Sequence, residues 1–90
     1  MNIEQMRSAR GKKVPNQSVV TTEKGTYFQS YNSVIAFIPA GPEKIQLGPK
    51  WDYSQTTGKY RNQFLRETKA ETQRKLDNGE YLLNPILSIE

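Results

Sequence analysis

The sequence contains no cysteine and no histidine. The first absence removes disulfides and thiolate metal ligands, and the second removes the commonest metal ligand and the side chain best suited to act as a base near neutral pH. No segment approaches the roughly 18 consecutive apolar residues of a membrane span, and the N-terminus is polar where a signal peptide would carry its apolar core. Hydrophobic residues make up only 34% of the 90, with a single tryptophan. A chain this short buries about 60% of the surface it exposes when unfolded, so it forms one domain with little room for a deep pocket. These absences disfavour most enzyme designs. They lead to the expectation of a cytoplasmic, non-enzymatic protein with no cofactor, no metal and no membrane partner.

What is present is basic charge, and its distribution matters more than its sum. The formal charge is +4. Residues 1–13 hold Arg7, Arg10, Lys12 and Lys13 against Glu4, a net +3, which leaves the remainder nearly neutral. Ile3 and Met6 are the only sizeable apolar side chains in 1–13 beyond the first residue. Too little apolar surface is present for the segment to order itself alone. The expectation is a basic tail that either frays, lies as a short helix on the body, or settles on phosphate.

From Val14 the residues turn β-branched. Ser18 to Thr22 reads as a strand, Glu23-Lys24-Gly25 as its turn and Thr26 to Ser30 as the returning strand. Tyr31-Asn32-Ser33 is a turn or a bulge. Val34 to Ile38 is apolar on both alternating faces, the pattern of a central strand covered on both sides. Pro39 to Glu43 holds two prolines and a glycine and is a loop, after which Lys44 to Gly48 folds back with Ile45 and Leu47 inward.

After Ser54 the period changes from two to about 3.6, with Tyr60 and Phe64 at i and i+4. Thr56 or Thr57 is placed to cap a helix over 58–65. Thr68-Lys69-Ala70-Glu71 fits a capping box for a second helix, and Gly79 is its natural stop. A single helix over 58–78 is the alternative, although Glu67 and Glu71 would repel on it. Tyr81-Leu82-Leu83 suits a short edge strand, and Asn84-Pro85 breaks the chain before the apolar Ile86 to Glu90. The expected organisation is a basic tail at 1–13, one α+β domain at 14–84 and an apolar tail at 85–90. In that domain a small antiparallel sheet of three to five strands carries two short C-terminal helices on one face. The apolar tail needs cover, either along its own sheet edge or on a second copy as a homodimer.

The stretch Trp51-Asp52-Tyr53-Ser54-x-Thr56-Thr57-x-Lys59-Tyr60-x-x-x-Phe64-Leu65 resembles a family of small uncharacterised proteins from phages and other bacterial mobile elements. Glu71-Thr72, Leu76, Gly79-Glu80-Tyr81 and the upstream Phe28 to Ala36 add to the likeness, which covers roughly residues 26–83. The resemblance implies a bacterial host cytoplasm and an accessory role, and it carries no activity with it.

Gly58-Lys59 lacks the preceding glycine and the following serine or threonine of a phosphate loop, with Tyr53 and Tyr60 in those places. A serine nucleophile without histidine needs a lysine base, and no Ser-x-x-Lys pattern supplies one. The acidic residues are isolated or interleaved with bases. The functional surface with most support is basic: the tail residues above with Lys59, Arg61, Arg66, Lys69, Arg74 and Lys75, flanked by Trp51, Tyr53 and Tyr60, which can stack on bases where exposed. The bland reading gives the charges to a solvated helix face and the aromatics to the core. The nearly neutral body tells against a dedicated DNA binder, so the expected partner is a host or defence protein or nucleoprotein, with nucleic acid held through its phosphates as the alternative.

Overall fold

The computed structural model describes residues 1–90. Six strands are present: β1 (Asn2–Arg7), β2 (Lys13–Thr22), β3 (Gly25–Ser30), β4 (Ser33–Pro39), β5 (Gln46–Leu47) and β6 (Leu82–Leu83). Helices α1 (Gln55–Leu65) and α2 (Lys69–Asp77) lie between β5 and β6 in the chain. The strands form one sheet in the order β1-β2-β3-β4-β5-β6, with every pairing antiparallel except the parallel β5–β6 pair.

Two neighbouring columns across the sheet show how its faces are used. Val19, Phe28, Ala36 and Leu47 face one another across β2 to β5 and belong to the main core. That core also takes Tyr60, Phe64 and Leu65 of α1, Leu76 of α2, and Tyr81. The adjacent column, Val20, Tyr27 and Phe37, points to the other face, because successive strand residues alternate. Leu87 and Ile89 of the C-terminal segment pack there, and Glu90 closes on Lys24 at 3.1 Å. β4 is apolar on both faces because helices cover one and the C-terminus covers the other.

Two expectations are corrected. The sheet has six strands rather than three to five, and residues 2–7 are an edge strand rather than part of a tail. The placement of the two apolar residues of β1 explains the difference. Ile3 stands opposite Val20 and is 63% exposed, whereas Met6, three residues on and therefore on the other face, enters the main core at 7%, so neither face of β1 carries the repeated apolar residues that mark a strand.

The helix ends follow local chemistry. Ser54, two to three residues before the expected Thr56 or Thr57, caps α1 by accepting from the Thr57 amide at 3.2 Å. Arg66 ends α1 in the left-handed conformation with φ 58°, so the two helices are separate. Thr68 and Glu71 make the expected capping box of α2. Glu67, between the helices, is buried and accepts from Thr72 at 2.6 Å, Lys75 at 2.7 Å and Tyr81 at 2.8 Å. Burial alone would raise its pKa, but these donors outweigh it and hold the carboxyl below its ordinary range. No helix is long and apolar enough to cross a membrane.

Candidate nucleic-acid interface

The hairpin joining β1 and β2 carries the N-terminal basic residues. Ser8 and Lys12 close its loop with an amide-to-carbonyl bond of 2.8 Å, and Gly11 takes φ +80°, which suits a residue without a Cβ. Arg7 and Lys13 are cross-strand partners below the loop, and Arg10 and Lys12 sit within it. All four are exposed. Arg7 is held by a bond from its Nη1 to the Gly11 carbonyl at 2.7 Å. The four charges thus occupy one folded tip.

Helix α1 adjoins this tip. The Gln63 amide donates to the Arg7 carbonyl at 3.0 Å; Lys59 and Gln63 are exposed at i and i+4 on one face of α1, and the exposed Arg66 caps its C-terminal end. Gln63 is the joint between the two basic elements.

The remaining predicted residues separate from this surface. Arg61 is only 1% exposed, its Nη1 donating to the Trp51 carbonyl at 2.7 Å and its Nη2 to Asn62 at 2.9 Å. Its guanidinium lies 5.1 Å from the Trp51 ring centre, where it fastens the 51–52 loop to α1. Arg61 is therefore a structural clamp and not a member of a surface stripe. Lys69 pairs with Asp52 at 2.8 Å, Arg74 with Glu80 at 3.8 Å and Lys75 with Glu67 at 2.7 Å. The Lys69 hydrogen bond, with help from Arg61, depresses the Asp52 pKa. Besides these, the ion pairs are Lys24–Glu90 and Arg61–Asp52. Arg7, Arg10, Lys12, Lys13, Lys59 and Arg66 belong to none.

The aromatic candidates divide similarly. Tyr60 is buried in the main core and Trp51 is half-buried against it. Tyr53 is 70% exposed, with the Lys50 ammonium 5.0 Å from its ring centre. Tyr31, absent from the sequence reading of the site, is 56% exposed in the β3–β4 turn and has φ 54°. A tyrosine in a two-residue turn, where glycine or asparagine is the usual choice, was the available signal.

A protein family described as a family of unknown function (DUF8033) matches residues 1–80 of the chain. No curated protein and no solved structure matches it.

Proposed function

We propose that this chain, which belongs to the DUF8033 family, is a non-catalytic binding protein that grips nucleic-acid phosphate through the β1–β2 hairpin tip and the adjoining face of α1. One observation carries the reading: six basic side chains outside every ion pair lie on two elements tied together by Gln63. Charges already paired with carboxylates cost energy to redirect, whereas unpaired ones are available to displace counterions from phosphate.

Fluorescence anisotropy with a labelled oligonucleotide, across a salt series, tests this. The parent should bind at low salt, with log K falling by about 0.9 per phosphate contact for each unit of log salt on duplex DNA. The triple variant R10A/K12A/K13A should flatten that slope by about two to three, while K24A and R74A, altered at ion-paired sites, should leave it in place. Parental behaviour by the triple variant, or no binding to DNA or RNA at low salt, rejects the reading.

A second reading follows from the other sheet edge. Leu82, Leu83 and Ile86 are exposed at and beyond β6, and apolar residues beside a free strand suit a protein partner. In this reading the chain is a phage-like or mobile-element-like accessory protein that docks on a host or defence protein or nucleoprotein in the bacterial cytoplasm. A pull-down from bacterial lysate with and without nuclease separates the two readings. A protein captured after nuclease treatment by the parent, and lost with L82E/I86E, favours the second.

A further inference from the structure

The sequence has five tyrosines. Tyr27, Tyr60 and Tyr81 are buried, whereas Tyr31 and Tyr53 are exposed and line the same cavity, which lies between the β3–β4 turn and the start of α1. Its volume is about 370 Å³, within the range of small-ligand sites. We propose that this cavity receives a nucleobase of a single-stranded nucleic acid, a proposal that rests on the phosphate-binding reading and adds the base to it.

The floor is polar and under-used. Ser30 and Thr57 are both buried there, their hydroxyl oxygens 2.9 Å apart, and neither hydroxyl has another hydrogen-bond partner. Each hydroxyl carries one hydrogen, and only one of the two can lie between the oxygens. The other is left unused at the bottom of the cavity. It can meet a ring nitrogen or carbonyl on the edge of a base.

The walls suit the rest of such a ligand. Tyr31 and Tyr53 are exposed aromatic rings, Tyr53 with the Lys50 ammonium over one face at 5.0 Å, and a ring face is a surface every base can stack on irrespective of sequence. Lys50, on the same wall beside Tyr53, is in no ion pair and is available to a phosphate. Asn32 adds an amide at the turn. The left-handed backbone at Tyr31 is a conformation that a residue with a Cβ adopts at a cost, and here it accompanies an exposed residue that lines the cavity. Bases inside a duplex are stacked on each other, so the cavity selects a single strand.

The test is binding by the full chain to three labelled probes of equal length: an oligothymidylate, an abasic strand of the same charge, and a duplex. Tyr31→Ala and Tyr53→Ala should each weaken oligothymidylate binding by about 5- to 150-fold, the value of one base–aromatic stack. Tyr53→Phe, which keeps the ring face, should remain near the parent. Both alanine variants should leave the abasic and duplex probes unchanged, whereas R10A/K12A/K13A should weaken all three. Equal losses on the abasic strand, or no loss on oligothymidylate while the triple variant still fails, overturn the base site and leave phosphate binding standing. A parent chain that binds none of the three probes at low salt overturns both.

Discussion

The Tyr81 hydroxyl donates to the Glu67 carboxylate at 2.8 Å, joining the chain just before β6 to the link between the two helices. The same carboxylate holds Lys75 and Thr72, so one buried charge gathers both ends of α2.

This cluster makes stability depend on pH at both extremes. Glu67 has a pKa depressed below its ordinary 4.5, so its contribution is complete above that value and is lost as pH falls through the folded pKa. Tyr81 moves the other way, from 10.0 to about 12, chiefly through burial and then through its bond to Glu67. Its contribution is complete below pH 10 and disappears as pH rises toward 12. Glu67→Gln should lower stability by about 1.5–3 kcal/mol at neutral pH and flatten the acid arm. Tyr81→Phe should flatten part of the alkaline arm. Thermal melts from pH 2 to 12 read both, and a Glu67→Gln profile parallel to the parent at low pH would contradict the assignment.

Core aromatics set a second expectation. Phe28 is fully buried and its ring centre lies 5.7 Å from that of Phe64, which is only half-buried. Phe28→Ala should cost about 3–5 kcal/mol, a large share of the roughly 5–15 kcal/mol that holds a domain. Phe64→Ala should cost less, because part of its ring already meets water. Chemical denaturation gives the order, and the reverse order would place the centre of the core on α1 rather than on β3.

The helices and the central strand were legible because their signals are local. Thr68 and Glu71 sit three apart with their partners within one turn, and Val34 to Ile38 is apolar throughout. β1 was illegible because its two apolar residues, Ile3 and Met6, fall on opposite faces and leave no repeat on either, and because its stabilising partner, β2, begins six residues beyond its end. The site was half legible for a related reason. Sequence counts charges, but only the fold shows that Arg61 turns inward to the Trp51 carbonyl, that Lys69, Arg74 and Lys75 are paired, and that Arg7 meets Gln63 across the chain. Tyr31 and Tyr53 lie 22 positions apart, and no motif spacing joins them.

Gln17 offers a third prediction, since it is fully buried and neither amide atom has a hydrogen-bond partner. It stands opposite Ser30 in the β2–β3 ladder. A buried polar group without a partner costs about 1–3 kcal/mol. Gln17→Met, close in length and apolar, should therefore raise the denaturation midpoint. A loss of stability would show that the amide makes a contact, for instance to an ordered water, that offsets its burial.

The fourth prediction concerns residues 85–90, whose apolar side chains call for cover. Two routes were open, an own edge or a second copy, and here Leu87 and Ile89 instead lie across the face formed by Val20, Tyr27 and Phe37 of the same chain. The Tyr27 and Phe37 rings stack beneath this segment with centres 4.3 Å apart. Full burial of one such aliphatic side chain is worth about 1.5–3 kcal/mol, and these two are half-buried, so removing 85–90 should cost about 1.5–3 kcal/mol. It should also uncover an apolar strip beside the stacked rings, and exposed strips of that kind associate. Light scattering on the truncated chain should accordingly show a mass that rises with concentration, together with increased binding of a hydrophobic dye. A strand exchanged between two copies predicts the opposite, a dimer that becomes a stable monomer on truncation, and that result would move Leu87 and Ile89 off their own sheet.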